Sequence, residues 1–261
     1  MRLVLGMCIL VLNDVIEGFR MIDELKKMIL ESKKIVVLTG AGFSSDSGIP
    51  TYRGTGGLWS KYDPSIYADY NNFLRDSTYY WNFFKDERYP MMIKAKPNTG
   101  HFALVKLHKQ GNLYKLITQN IDGLHQVAGI PDVIELHGTT RSFRCMSCDN
   151  RFSMGEVYKK IKHEFPPKCP CNGNLRPDTI MFGEPLPQPA LEEAMFAARH
   201  CNLFLVLGSS LVVNPAAQLP IIAKENNAKL AIVNIDPTPL DKLADLVLNK
   251  KITGVLKQLI L

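Results

Sequence analysis

A doubly wound α/β sheet carrying a smaller inserted module is the fold predicted for this 261-residue chain, and three observations predict it. Short β-branched apolar runs recur along the chain with helical segments between them. Each run stops in glycine, amide, hydroxyl or carboxylate residues, as ligand-binding strand ends do in open parallel sheets. Between Thr139 and Arg176, finally, four cysteines fall in two close pairs, a composition foreign to the alternation around them.

Taken in order, Leu3 to Leu12 is an apolar run preceded by Arg2, with no small-x-small cleavage site after it and too few residues to span a bilayer. Residues 1–20 read as an N-terminal extension packed on the body, ahead of a mis-assigned start at Met7 or Met21 and of a targeting segment. Met21, Ile22, Leu25, Met28 and Ile29 recur at helical spacing and predict a helix to Ser32. That helix feeds the organising stretch of the chain. Ile35 to Leu38 has the character of a buried parallel strand and runs straight into Gly40-Ala41-Gly42, where backbone can approach a ligand closely. Ser44, Ser45 and Asp46 are placed to cap a following helix, whose free N–H groups suit a pyrophosphate. Together these make half of a Rossmann-like dinucleotide site. Ser45 stands where the strict pattern has its third glycine, and no strand-end acid follows about twenty residues on, which disfavours an ordinary dehydrogenase. Gly48, Pro50, Gly54, Gly56 and Gly57, with Tyr52, Arg53 and Trp59 among them, predict a flap over the bound ligand.

Tyr79, Tyr80, Trp81, Phe83 and Phe84 crowd six positions without strand alternation, so short helices with a core role are expected there. Asn98 or Thr99 caps a helix to Lys109. Lys115 to Thr118 is a second strand, ending in Gln119-Asn120-Ile121-Asp122-Gly123, and Val133 to Leu136 a third, ending at His137-Gly138. Polar groups at two successive strand ends are hard to explain by packing, although a lone histidine is more often structural than catalytic. Cys145 and Cys148, then Cys169 and Cys171, can converge on one tetrahedral zinc that leaves no position for water, so the metal is structural. Pro177 to Glu184 returns to the main body and Glu192 to His200 is helical. Further strands run over Leu203–Leu207, ending in Gly208-Ser209-Ser210, over Leu230–Asn234, ending in Asn234-Ile235-Asp236, and over Asp245–Leu248, before a terminal helix from Ile252. The chain therefore divides into a nucleotide-binding body (21–53, 98–138 and 177–261) and a small domain (54–97 and 139–176).

A formal charge of +6 is spread over scattered basic residues, so direct nucleic-acid binding is not indicated. Paired cysteines argue for metal rather than disulfides and for a reducing, cytoplasmic setting, with Cys8 and Cys201 as inert apolar residues.

With these residues in hand, the chain resembles the sirtuins, the Sir2-like NAD-dependent protein deacylases, over roughly residues 21 to 261. The resemblance rests on G-A-G-F-S-S-D-S-G-I-P-T-Y-R-G, T-Q-N-I-D-G-L-H, E-L-H-G, the two cysteine pairs, P-D-T-I-M-F-G-E, G-S-S-L-V-V-N-P-A and V-N-I-D. It implies NAD as co-substrate, an acyl-lysine protein or peptide as partner, one structural zinc, and release of nicotinamide and O-acyl-ADP-ribose. His137 would be general base toward a ribose hydroxyl. Asn120 and Asp122 would orient the nicotinamide end and the ribose or an ordered water, with Gln119 holding the ribose. Gly40, Ala41, Gly42, Ser45, Tyr52, Arg53 and Ile121 would line the cofactor site; Gly208, Ser209, Ser210, Asn234, Ile235 and Asp236 would hold the adenosine half, with Ile252 near the adenine. Backbone of Met181-Phe182-Gly183-Glu184 would pair with an extended peptide.

Two departures carry consequences. The family loop commonly reads I-P-D-F-R where this chain has Ile49-Pro50-Thr51-Tyr52-Arg53, which bears on nicotinamide affinity. Family members that prefer acidic acyl groups carry Tyr and Arg where this sequence aligns Phe84 and Glu87, so acetyl or longer apolar acyl groups are expected over succinyl. Two other readings compete: mono-ADP-ribosyl transfer to protein, and a non-enzymatic zinc-module scaffold that senses NAD.

Overall fold

The apolar runs become a six-stranded, all-parallel sheet in the computed structural model, which describes residues 2–54 and 56–260, with side chains from residue 17 to residue 259. Its strands are β1 (Ile35–Thr39), β2 (Leu113–Thr118), β3 (Val133–Glu135), and, after an inserted sheet, β7 (Leu203–Leu207), β8 (Lys229–Val233) and β9 (Leu246–Leu248), in the order β3-β2-β1-β7-β8-β9. Successive side chains of a strand face opposite ways, and the core follows that rule. Ile35, Val37, Leu205, Leu207, Ala231 and Val233 face one layer, packed by Ile22, Leu25, Met28, Leu104, Val255 and Leu256 from the helices Arg2–Glu31, Thr99–Lys109 and Ile252–Ile260. Val36, Leu38, Phe204, Val206, Leu230 and Ile232 face the other, against Ala194, Ala198, Leu219 and Ala223 of Gln188–His200 and Leu219–Glu225. Burial on both faces is why these strands are apolar throughout instead of alternating.

The first helix is longer than its periodicity predicts, running from Arg2 rather than Met21. The expected packing of Leu3 to Leu12 and of Cys8 lies outside the residues whose side chains are described. Thr99–Lys109 starts where predicted: the Asn98 side chain accepts from the N–H groups of Gly100 and His101, and His101 Nδ1 accepts from the Asn98 N–H, a reciprocal cap.

The inserted strands β4 (Gly138–Cys145), β5 (Arg151–Ser153) and β6 (Leu175–Thr179) form a separate antiparallel sheet in the order β5-β4-β6. Pro177 to Thr179 thus belongs to this sheet, and the return to the main body comes later than the sequence predicts. The aromatic cluster supplies its core: Trp81, Phe84 and Tyr80 pack on Phe143, Cys145, Val157, Cys169 and Leu175. Helix Thr78–Phe83, a π-helical turn Phe84–Arg88 and helix Tyr89–Lys94 carry those rings, so the two segments on either side of Asn98–Gly138 share one interior.

Candidate active site

The chain order puts β1 beside both β2 and β7, so the sheet grows outward in two directions from that seam, and ligands bind in the crevice at such a switch point. Both strands that flank the seam end in glycine. Gly42 N–H donates to Gly208 O at 2.9 Å, and Gly40 N–H to Leu207 O at 3.1 Å. A Cβ on Gly40 would lie 2.6 Å from Gly208 O, and one on Gly208, whose φ is +68°, would lie 2.5 Å from Phe43 N. Only glycine allows the two turns to meet, and a cavity of about 360 Å³ opens beside them.

Beyond Gly40 the backbone winds into a 3-10 helix, Ala41–Ser47, not the capped α-helix expected. Ser44, Ser45 and Asp46 sit inside it and turn elsewhere: Ser44 Oγ donates to Asp122 Oδ2 (2.7 Å), Ser45 Oγ to Gly42 O (2.9 Å), and Asp46 accepts from Thr253. The glycine-rich stretch after it closes on itself, with Leu58 N–H donating to Thr51 O, Trp59 N–H to Tyr52 O, and the Tyr52 and Trp59 rings 5.1 Å apart.

The end of β2 is locked to both glycine turns. Gln119 Nε2 donates to Ser209 Oγ (2.8 Å), and Asn120 Nδ2 donates to Gly40 O (3.0 Å) and Ser44 Oγ (3.2 Å). Beside them, His137 Nδ1 lies 2.9 Å from Gln119 O. A carbonyl can only accept, so Nδ1 carries the proton and Nε2 keeps its lone pair. Burial lowers the His137 pKa; the bond to Gln119 opposes this and the Arg53 charge adds to it. The ring is therefore neutral at pH 7, as a base must be. Burial raises the Asp122 pKa against the opposing bonds from the Leu124 N–H and Ser44.

On the facing wall, Arg176 grips Glu184 with two bonds of 2.7 and 2.8 Å, and Met181 N–H donates to Glu184 Oε2. Phe182 is spent on its neighbours: its N–H donates to Ala68 O and its carbonyl accepts from Tyr70 N–H. Of the four residues expected to pair with a peptide, Gly183 alone has no backbone hydrogen bond among the described residues.

In the small sheet, Sγ atoms of Cys145 and Cys171 lie 3.5 Å apart, Cys148 and Cys169 3.6 Å, and Cys148 and Cys171 3.3 Å, all four within 4.8 Å. Four thiolates at about 2.3 Å from one zinc stand about 3.8 Å from each other, so the set fits the ion. The short Cys169-Pro170-Cys171 knuckle closes because Asn172 takes φ +66° and Cys169 N–H reaches Gly173 O.

Gly40, Ala41, Gly42, Tyr52, Arg53, Gln119, Asn120, Ile121, His137, Met181 to Glu184, Gly208 to Ser210, Asn234 and Asp236 line one cavity. Ser45, Asp122, Ile235 and Ile252 do not line it; Asp122 connects to it through Ser44 and then Asn120, and Ile252 packs behind Gly208. Phe84 and Glu87 are also elsewhere. Phe84 is wholly buried in the small core, and exposed Glu87 accepts from Tyr62 at 2.6 Å, so no carboxylate of Glu87 faces an acyl chain. That removes the ground for expecting succinyl to be repelled. The lining residues that sequence reasoning missed include Tyr67, Tyr80, Arg88, Thr179, Ile180 and Asn214; Tyr80 and Arg88 were hidden in a segment legible only as aromatic core.

Fold and site define a class: a doubly wound α/β protein with a glycine-cradled switch-point cavity and an inserted four-cysteine metal module. Residues 40–215 match the Sir2 family, and the chain belongs to that family. An NAD-dependent protein deacetylase of Sulfurisphaera tokodaii is 43% identical over 88% of this chain and 91% of the relative. An NAD-dependent protein deacylase of Aquifex aeolicus is 45% identical over 88% and 95%. A solved Sir2 structure with a p53 peptide and NAD+ superposes with a TM-score of 0.85 at 40% identity, covering 91% of this chain and 96% of that one. One with a deacetylated p53 peptide and 3'-O-acetyl ADP ribose gives 0.88 at 40%, with the same coverage. Among the described residues no helix is long and apolar enough to cross a membrane.

Proposed function

We propose that the chain is an NAD-dependent protein-lysine deacylase, releasing nicotinamide and O-acyl-ADP-ribose from an acyl-lysine protein or peptide. The observation that carries the reading is a neutral imidazole, His137, held by the Gln119 carbonyl in the cavity that the glycine turns open. NAD, when bound, supplies a nicotinamide–ribose bond whose cleavage opens ribose C1′ to the acyl oxygen of the modified lysine.

Supported by their contacts, the residues take these parts. His137 Nε2 accepts a proton from a ribose hydroxyl. Asn120 orients the nicotinamide end, with its amide already anchored on Gly40 and Ser44; Asp122 acts one residue removed, by fixing Ser44. Gln119 holds the ribose. Gly40, Ala41, Gly42, Tyr52, Arg53 and Ile121 surround the phosphates and nicotinamide, where the Arg53 guanidinium answers the pyrophosphate charge. Gly208, Ser209, Ser210, Asn234 and Asp236 take the adenosine half, with Ile235 and Ile252 behind or beside it, and Ser45 supports the cofactor loop through its bond to Gly42 O. Met181 to Glu184 receive the peptide, chiefly through the backbone of Gly183. Cys145, Cys148, Cys169 and Cys171 hold zinc. We assign residues 54–97 and 139–179 to a small domain on the strength of their shared core and sheet, and 21–53, 98–138 and 180–261 to the NAD-binding body. A cytoplasmic location suits four thiolates that must stay reduced to hold their metal.

Incubation with an acetyl-lysine peptide and NAD, read by mass spectrometry, tests the reading. Deacylated peptide, nicotinamide and O-acetyl-ADP-ribose in equal amounts are expected. Label from NAD retained on protein, with the acyl group untouched, would overturn it in favour of ADP-ribosyl transfer.

A further inference from the structure

Behind the cavity, the peptide group between Gln119 and Asn120 is held from both ends. Its carbonyl accepts from His137 Nδ1 at 2.9 Å, and its N–H donates to Thr118 Oγ1 at 3.0 Å. Thr118 and Thr39 are partners in register on β2 and β1, the strands of the seam, and Thr39 Oγ1 donates to Thr118 Oγ1 at 2.8 Å. Thr39 has then spent its one proton, so its 2.9 Å contact with His125 Nε2 has the imidazole as donor. A continuous chain of hydrogen bonds therefore runs from His125 through Thr39, Thr118 and one peptide group to His137.

His125 is costly where it stands. It is 1% exposed on the helix Leu124–Ala128, and its Nδ1 has no hydrogen-bond partner. Phe43 and His101 pack on it, and the Nδ1 of His101 is taken by the Asn98 N–H. Burial, with a further push from His101, holds the His125 pKa at about 3, so the ring stays neutral and serves as a fixed donor. Packing alone would be served better by a hydrocarbon ring, which leaves no nitrogen bare. What the histidine adds is the bond to Thr39, and in a dry interior each donor of such a chain polarises the next.

Resting on the deacylase reading, we propose that His125 is a positioning residue for the reaction, which through Thr39 and Thr118 fixes the plane of the Gln119–Asn120 peptide group and so sets the tautomer and aim of His137. One plane carries two assignments, since His137 bonds to its carbonyl and Asn120 begins at its nitrogen. A tilt of that plane moves the base and the nicotinamide-facing amide together and leaves the peptide-facing wall alone.

The test removes hydroxyls and keeps shape. Thr39→Val, Thr118→Val, the two combined, Thr39→Ser, Thr118→Ser, His125→Phe and His125→Gln are compared with the wild type on an acetyl-lysine peptide with NAD, alongside their urea midpoints. Each single Val variant and His125→Phe should lower kcat about tenfold, the scale of one misplaced hydrogen bond, with peptide KM within about twofold of the wild type. The bond to Gln119 raises the His137 pKa against burial and the Arg53 charge, so a slackened carbonyl should move the acid limb of kcat/KM down by about half a pH unit. The Ser variants, which keep the hydroxyl, should restore rate and limb, and His125→Gln, which keeps an Nε2 donor, should restore part of both. The combined Val variant should lose no more than Thr118→Val alone, because a chain is broken once. Nitrogen NMR of the histidines should find His137 protonated at Nδ1 in the wild type and partly at Nε2 in the Val variants. An acid limb and a tautomer unmoved by Thr118→Val, or losses in kcat that add in the combined variant, overturn the inference, while acetyl turnover by the wild type leaves the deacylase reading standing. No turnover of any acyl-lysine peptide overturns that reading, and the His137 tautomer then decides the inference alone.

Discussion

A single carbonyl decides how His137 behaves. Because Gln119 O accepts from Nδ1, the lone pair sits on Nε2, and because burial lowers the pKa, that lone pair is available at neutral pH. His137→Ala should therefore cost about 10² to 10⁴ in kcat, while the urea midpoint falls only by the small amount that losing the ring's burial and its bond to Gln119 entails. The base is lost when it is protonated, so kcat/KM should fall as pH drops through the folded pKa. Burial places that acid limb below the ordinary histidine value of 6.5, and a pH–rate profile reads it directly. His101 and His125 are a different case. They pack around Phe43, ring centroids 4.8 Å apart, and burial depresses their pKa values to about 4 and about 3. Between 6.5 and those values the unfolded chain binds protons that the folded chain refuses. Their contribution to stability should fall as pH drops from 6.5 and be fully lost below about 3, a loss on the order of several kcal/mol that urea melts of the wild type and of His125→Asn at successive pH values would register.

Elements matter where two of them must touch. The β1 and β7 turns meet glycine to glycine, and Gly208→Ala sets a methyl against Phe43 N, Gly42 C and Ile252 Cδ1 at a left-handed φ. At least about 2 kcal/mol of stability should be lost, and NAD binding measured by calorimetry should weaken with it, because the turn can accommodate the methyl only by moving off the cavity. The Arg176 to Glu184 fork plays the same part on the opposite wall. It spans β6 and the Met181–Glu184 loop with both groups mostly buried, so Arg176→Met strands a carboxylate beside Met181 N–H. The expected cost is about 3–5 kcal/mol, with a raised KM for peptide.

At the scale of the molecule, the main sheet has two full hydrophobic layers, whereas the small module has one modest core and a metal site. The module should bind one zinc per chain and depend on it. Chelation is expected to lose the near-ultraviolet signal of Trp81, which packs on Phe143 beside that site, before the far-ultraviolet signal of the main sheet. Simultaneous loss of both would show instead that the two regions fold as one unit.

Much of this was legible in the chain itself. Runs such as Ile35–Leu38 and Leu203–Leu207 announce buried parallel strands because water-excluded backbone needs apolar side chains on both faces, and that demand is local. The cysteine pairs and the glycines of the Gly40 turn are legible for the same reason: metal geometry and steric contact admit few residue types. What the sequence could not show is direction. Whether Ser45 or Ser44 meets the strand ends, and that Asp122 sits behind the wall bonded to Ser44, depend on the 3-10 winding after Gly40. Likewise a π-turn, invisible to periodicity, decides that Arg88 and not Glu87 faces the cavity. Residue type is set by chemistry over one or two turns, but which side of a helix meets a cavity is set by the neighbours it packs against, and those lie far away along the chain.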